Sequence, residues 1–166
     1  MLKLITSPNA VLKQQAVDWN FESDIDSREL EVDMVQTMIE HKGRGLAANQ
    51  VGILKRVFAI ALEGQVPFCM FNPSIISTNT DINESEEGCL SFPDLWIKVK
   101  RPNSITAEYF DRDGKKCIIE LSGIDARCFL HELDHLNGIT FDTKISQLKL
   151  ALAIKKQRKH NGRTKR

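Results

Sequence analysis

The sequence predicts an α+β fold in which a largely antiparallel sheet packs against helices. Short runs rich in β-branched and aromatic residues fill the middle of the chain, and apolar residues recur at helical spacing before and after them. Strands and helices are therefore segregated along the chain rather than alternating. This arrangement is typical of antiparallel α+β folds and not of parallel α/β folds.

The first and last helices are predicted from apolar periodicity. The first spans residues 26–41, is followed by glycines, and has these apolar positions: Leu30, Met34, Val35, Met38 and Ile39. The last spans residues 147–159, and these side chains are expected to be available for packing: Leu148, Leu150, Leu152 and Ile154.

A second helix is predicted over residues 123–137 from its end signals. Ser122 and Asp125 resemble a capping box at its start, and Gly138 suits the position after its C-cap. Between the first and second helices, the predicted strands are 56–62, 67–73, 95–100, 104–110 and 116–121. The DRDGKK segment, residues 111–116, is predicted to be the hairpin turn between the last two of them.

Length and composition indicate one soluble globular domain. The chain has 166 residues, 42% of them hydrophobic and 27% charged, which suffices for a core without disulfides. No apolar run approaches the ~18 residues of a membrane span, and the N-terminus lacks the features of a signal peptide. The four scattered cysteines are therefore expected to be reduced, and the protein to be cytoplasmic and free of membrane contact.

Charge is distributed unevenly along the chain. Residues 144–166 contain nine Lys and Arg and no acid, so residues 1–143 carry 14 basic against 22 acidic residues, a net charge of −8. An acidic body with a basic tail predicts a polyanionic partner for the tail. The alternative is a solvated helix end.

The segment FLHELDHLNGITF, residues 129–141, contains two histidines four positions apart. On a helix, His131 and His135 lie on one face and can bind one metal ion, with Glu132 beside them as a general base. The alternative from these residues alone is a polar helix face on which the histidines form hydrogen bonds and the glutamate is solvated.

A catalytic site of this kind requires three protein ligands and one open position. Phe141 occupies the place of a third histidine found in one protease class, and no glutamate follows His135. The third ligand must therefore come from upstream, or be Asp142 or a thiol. Cys89, in EEGCLSFPD, can complete the set of three ligands. The alternative interpretation is that Cys89 is an ordinary buried cysteine in a strand.

The segment GRGLAANQVG, residues 43–52, contains small residues that allow a ligand to approach the backbone closely. Gln50 provides an amide able to polarise a carbonyl oxygen. The segment lacks the GK[ST] ending of a phosphate-binding loop. Its alternative interpretation is a glycine-ended helix followed by a tight turn.

The three segments in this order resemble the signature motifs of the peptide deformylases. The matching residues are Gly43, Gly45, Leu46, Ala47, Ala48, Gln50, Glu87, Gly88, Cys89, Leu90, Ser91, His131, Glu132 and His135. The resemblance implies antiparallel sheets packed around a central HExxH helix, with a catalytic domain over residues 1–146 and a C-terminal helix and basic tail over 147–166. It also implies a metal-dependent hydrolase that removes the formyl group from N-terminal formyl-methionine of nascent polypeptides.

The resemblance also implies roles for individual residues. Cys89, His131 and His135 would bind the metal. Glu132 would transfer protons, and the oxyanion donors would be the Gln50 amide and the Leu90 backbone N–H. The expected substrate-binding residues are Arg44, Gly45, Glu87 and Gly88.

The metal implied is one divalent ion, natively Fe²⁺, with Zn²⁺ or Ni²⁺ able to replace it in purified protein. The basic tail is expected to contact the ribosome, and the protein to be a monomer. Arg44 and Leu130 depart from the family pattern and put substrate preference and packing around the metal in question. Cys128 is expected to be a buried helix cysteine.

Two other function classes stay open at this stage. Cys89 can serve as the nucleophile of a thiol hydrolase with a histidine as base. A homologue without catalytic activity can instead bind the ribosome. Sensitivity to a chelator separates the metal and thiol mechanisms.

Overall fold

A computed structural model describes residues 2–22 and 26–164. The helices and strands, in chain order, are α1 (Ser27–Glu40), β1 (Gly45–Ala47), β2 (Val57–Ile60), β3 (Phe68–Thr78), β4 (Ile82–Cys89), β5 (Phe92–Pro102), β6 (Ser104–Phe110), β7 (Lys116–Ser122), α2 (Gly123–Leu136) and α3 (Gln147–Thr164). Short 3₁₀ turns cover Ala10–Lys13, Ala48–Val51 and Phe141–Lys144. The predicted α+β class and its five strands are confirmed.

All named strand pairs are antiparallel. Five strands form one sheet in the order β1-β2-β3-β6-β7, and within the described residues β4 pairs only with β5, in a separate hairpin. The predicted turn over 111–116 joins β6 to β7, and Gly114 adopts the positive φ of 76° that the turn requires. β1 and β4 were not predicted, because β1 has three residues and β4 is largely polar and exposed.

The central helix α2 is buried along most of its length. Its apolar residues Phe129, Leu133 and Leu136 pack in one core cluster with Phe58 of β2, and the Phe129 and Phe58 rings meet edge to face at 5.3 Å. Truncation of such a buried phenylalanine to alanine typically costs about 3–5 kcal/mol of unfolding free energy. This packing fixes the face of α2 that carries the histidines.

The start of α2 differs from the prediction. Ser122 is the N-cap residue, but its side chain makes no capping hydrogen bond, so the expected capping box is wrong. Asp125 instead accepts hydrogen bonds from Arg44 Nη2 at 2.8 Å and from the Glu63 backbone N–H at 3.2 Å. At the other end, Gly138 has the predicted left-handed conformation, with φ of 71°.

Helix α1 begins at the N-cap Asp26, whose side chain accepts from the Arg28 N–H. It buries Met34 and Met38 in a second cluster with Phe71 of β3. This cluster supports the segment from β1 to the following 3₁₀ turn, since Leu46 and other residues of that segment belong to it.

Helix α3 packs against β5 through Leu150 and Ile154. Leu148 and Leu152 are 71% and 59% exposed, so the expectation that they pack is wrong for these two. The helix also extends beyond residue 159, to Thr164. Among the described residues, no helix combines the length and apolar character that crossing a membrane requires.

Candidate active site

Cys89, His131 and His135 come together at one point. α2 places the two histidines one turn apart with ring centroids at 4.9 Å, and β4 ends at Cys89, whose Sγ lies 3.3 Å from His135 Nε2. One ligand atom from each residue lies within 4.8 Å of the other two. A thiol and two imidazoles are a donor set that binds transition metals, so these residues fit a single divalent ion.

Glu87 orients the first of the two histidines. Its Oε2 lies 2.9 Å from His131 Nδ1, which leaves Nε2 as the free ligand atom. Burial alone would raise the pKa of Glu87, but hydrogen bonds from His131 and Arg101 outweigh it and hold the pKa at about 2. The carboxylate is therefore ionised at neutral pH.

The two histidines differ in pKa. Burial lowers the pKa of both, but His131 bonds Cys89 and Glu87, and these contacts raise its pKa to about 10. His135 has a pKa well below its ordinary value because of burial and the neighbouring His131 charge. In the metal-free protein His135 is thus a neutral ligand, and His131 must lose a proton before it can bind.

Glu132 points into the cavity beside these ligands. It is 4% exposed, and its Oε2 has no hydrogen-bond partner among the described residues. Burial raises its pKa to about 7, against the lowering effect of His131 and Arg101. A carboxyl group with this pKa can accept and return a proton at neutral pH.

Gln50 has a fixed amide orientation. Its Oε1 accepts from the Ala47 N–H at 2.8 Å, so its Nε2 faces the ligands and lies 3.0 Å from Ser91 Oγ and 3.6 Å from Cys89 Sγ. Ser91 in turn donates to the Ile5 carbonyl. The amide N–H₂ is therefore held as a donor beside Cys89.

These groups line one cavity of about 590 Å³, a volume typical of small-ligand sites. Gly43, Gly45, Gly88 and Trp96 are among the other residues that line it. A Cβ on Gly88 would lie 3.0 Å from the Trp96 ring, which is 61% exposed at the rim. Residues of both β1 and β4 thus border the cavity.

Comparison with known proteins decides the family. The polypeptide deformylase family model matches residues 1–151. The chain belongs to the polypeptide deformylase family. It is 43% identical to a peptide deformylase of Agrobacterium fabrum over 159 residues, which cover 92% of each chain.

Solved structures agree with this assignment. A deformylase from Synechococcus elongatus in complex with actinonin has a TM-score of 0.87 and 37% identity, covering 94% of this chain and 87% of its own. A deformylase from Legionella pneumophila has a TM-score of 0.87 and 33% identity, covering 100% and 98%. The chain is thus a metal-dependent hydrolase that acts on formyl-methionyl nascent peptides.

The residues that depart from the deformylase pattern lie in different places. Arg44 lines the cavity and pairs with Asp125 at 2.8 Å. Leu130 packs in the core cluster of α2 and is 8% exposed. Cys128 was expected to be a buried helix cysteine; it is instead half-buried and lines the cavity, and the loss of solvation there raises the pKa of its thiol well above the ordinary value. The ligand group formed by the described residues does not include it.

Several residues that hydrogen-bond around Glu87 and the two histidines were not predicted from the sequence. Arg101 donates to Glu87 from Nε at 2.5 Å and Nη2 at 2.9 Å, and Arg127 donates to it from Nη1 at 2.7 Å. Asn49 Nδ2 donates to the His135 carbonyl. Signals for both arginines exist: strand alternation in β5 places Arg101 on the inward face, and Arg127 precedes His131 by one helical turn.

Proposed function

We propose that Cys89, His131 and His135 hold the divalent ion of this deformylase. The observation that carries the proposal is the convergence of their three ligand atoms within 4.8 Å. When bound, such an ion supplies Lewis acidity, polarising a carbonyl oxygen and acidifying water near neutral pH. We further propose Fe²⁺ as the native ion, with Zn²⁺ or Ni²⁺ able to occupy the same donor set.

We propose that Glu132 carries the proton through the reaction. It takes a proton from water as the oxygen adds to the formyl carbon, and it returns a proton to the nitrogen when the C–N bond breaks. Formate and a free amine result. The pKa of about 7 and the unpartnered oxygen described above suit both steps.

We propose that the Gln50 amide and the Leu90 backbone N–H stabilise the oxyanion. The amide cannot turn its oxygen toward the site without losing the hydrogen bond from the Ala47 N–H. Removal of one such donor typically lowers kcat by about 100- to 1000-fold.

Substrate binding is proposed to add a peptide strand between β1 and β4. β1 is an edge strand of the five-stranded sheet, and β4 has β5 as its only paired strand among those described. Main-chain hydrogen bonds to such edges tolerate different sequences, as an enzyme acting on many nascent chains requires. Gly45 and Gly88 would contact the peptide backbone, with Arg44 at the edge of the groove.

The role expected for Glu87 is revised in this proposal. Glu87 is 5% exposed. Its Oε1 accepts from Arg101 Nε and Arg127 Nη1, and its Oε2 accepts from Arg101 Nη2 and His131 Nδ1. A carboxylate has about four acceptor positions, and all four are used. Glu87 therefore supports His131 and has no acceptor position left for substrate.

The decisive experiment measures formate release from formyl-Met-Ala-Ser with metal analysis of the same anaerobic sample. Glu132→Ala is expected to retain the metal and lose turnover; unchanged turnover would contradict the proton-transfer role. A chelator should abolish the activity. Activity that persists without metal would instead favour Cys89 as a thiol nucleophile, and metal binding without turnover in the unmodified protein would favour a non-catalytic homologue.

The division of the chain into a catalytic domain, residues 1–146, and a C-terminal helix with its tail, residues 147–166, is a further proposal. Leu148 and Leu152 are exposed on α3 beside several lysines, which suits contact with the ribosome surface. We propose a cytoplasmic monomer that binds ribosomes through this segment. A 1–146 truncation should lose ribosome co-sedimentation, and binding by the full chain should weaken with salt.

A further inference from the structure

The structure assigns a positioning role to Arg127, which we infer sets the geometry of the metal ligands through Glu87. This inference rests on the proposed metal site and deepens it. Arg127 lies on α2, four residues before His131, so both side chains leave the same face of the helix. Its side chain is 8% exposed.

Arg127 completes the hydrogen bonding of Glu87. Arg127 Nη1 lies 2.7 Å from Glu87 Oε1, which also accepts from Arg101 Nε. The other oxygen, Oε2, accepts from Arg101 Nη2 and His131 Nδ1, both at 2.9 Å. With four donors on two oxygens the carboxylate cannot rotate, and His131 is held with Nε2 toward the ligand site.

Arg127 also joins the two elements that carry the ligands. Its Nη1 donates to the Val99 carbonyl of β5 at 2.9 Å, and its Nη2 to the Asn83 carbonyl of β4 at 2.8 Å. The β4–β5 hairpin carries Cys89, and α2 carries both histidines. The Arg127 guanidinium therefore ties the hairpin that carries the thiol to the helix that carries the imidazoles.

A buried guanidinium loses its hydration, and this cost is offset only where its N–H groups find acceptors. Here Arg127 meets one carboxylate and two carbonyls. The charge of Arg101 is partly balanced by Asp134, which lies 2.7 Å from its Nη1. Lys144 contacts the other oxygen of Asp134 at 3.0 Å. The cluster is thus an extended charged network whose far end reaches His131.

The test is Co²⁺ binding by the metal-free full-length protein, measured by chelator competition and by the visible spectrum of the thiolate-bound ion. Arg127→Met is expected to raise the Co²⁺ dissociation constant by about 10-fold, the low end of the usual effect of losing a direct partner of a ligand, because Arg127 acts on His131 through Glu87. It should also change the spectrum at saturation, because the ligands are less firmly placed. Arg127→Lys, which can replace only part of the contacts, should give a smaller increase.

Arg56→Met is the matched control. Arg56 is a partly buried arginine that donates to one side chain, at Asn137 Oδ1, and to one carbonyl, that of Pro73. It does not contact Glu87. The control should leave the Co²⁺ dissociation constant within twofold of the unmodified protein.

A purely structural role for Arg127 predicts a different result. In that case the thermal midpoint falls, but the folded variant binds Co²⁺ with unchanged affinity and spectrum, and the inference is overturned. If Arg127→Met does not fold, the Lys variant decides in the same way. Failure of the unmodified protein to bind Co²⁺ through a thiolate would contradict the proposed metal site itself, which separates the two failures.

Discussion

Substitution of Gly45 by alanine tests how closely β1 approaches the proton-transfer residue. A Cβ at this position would lie 2.6 Å from Cδ and 2.7 Å from Cγ of Glu132. Gly45 is not among the described glycines with positive φ, so the backbone accepts alanine, and the three atoms nearest to the added Cβ all belong to the Glu132 side chain. Glu132 must retreat by about 1 Å to restore the ~3.5 Å separation normal between carbon atoms.

The expected consequence is a fall in kcat of about 100-fold, since a displacement of about 1 Å at a reacting group has effects of this size. This corresponds to about 2.7 kcal/mol of activation free energy. Overpacking should also lower the unfolding free energy by about 1–3 kcal/mol. Metal content should not change, because no ligand is touched.

The assay is formate release from formyl-Met-Ala-Ser by the single variants Gly45→Ala and Glu132→Ala and by the double variant. If displacement of the carboxylate causes the loss, the double variant should have the residual kcat of Glu132→Ala alone. A kcat for Gly45→Ala within threefold of the unmodified enzyme would refute the steric argument. A further loss in the double variant would show that the methyl group acts elsewhere.

Three further outcomes follow from the site. Gln50→Leu should lower kcat about 100- to 1000-fold with little change in Co²⁺ affinity; an equal loss of affinity would contradict its role as an oxyanion donor. The pKa of Glu87 is lower in the folded protein than in the unfolded chain. Its contribution to the unfolding free energy is therefore present above the pKa of the unfolded chain and is lost as the pH falls toward 2. As the pH falls from about 5 to about 2, the unfolding free energy of the metal-free protein should therefore decrease by about 3 kcal/mol more than that of the Glu87→Gln variant. Because His131 has a raised pKa of about 10 and must lose its proton to bind metal, Co²⁺ affinity should rise at least about tenfold per pH unit from pH 6 to 8; a flat profile refutes this.

The helices could be predicted because their signals are local. Apolar spacing and a following glycine mark α1, and signals at its two ends mark α2, each within one or two residues of the observed ends. The ends of α2 also show the limit of local reasoning. Asp125 is in the right place for a capping box, but Arg44, 81 positions away in sequence, takes its carboxylate.

Two of the strands that border the cavity, β1 and β4, were not predicted from the sequence. β4 contains INESEEGC, in which charged and polar residues dominate, and it becomes a strand because β5 supplies its hydrogen-bond partners. Strand propensity is a weak guide where pairing decides the structure. The same hairpin carries Cys89 to the histidines of α2, so the third ligand required a comparison of motifs rather than local spacing.

The environment of Glu87 was also beyond sequence reasoning. Its motif placed it beside the substrate, but three partners from β5 and α2 cover its oxygens. Along β5, buried and exposed residues alternate, and the buried ones are Leu95, Ile97, Val99 and Arg101. This alternation marks Arg101 as an inward-facing charge. A buried charge implies a partner, but the alternation does not show that the partner is Glu87.

The exposed indole of Trp96 at the rim of the cavity makes the protein its own fluorescent reporter. The chain has two tryptophans: Trp19 is 4% exposed in the core, and Trp96 is 61% exposed beside Gly88. A peptide in the groove would displace water from Trp96 alone, so its emission should shift to the blue over a constant Trp19 background. In the inactive Glu132→Ala variant, this signal would give the affinity for uncleaved formyl peptides without any added dye.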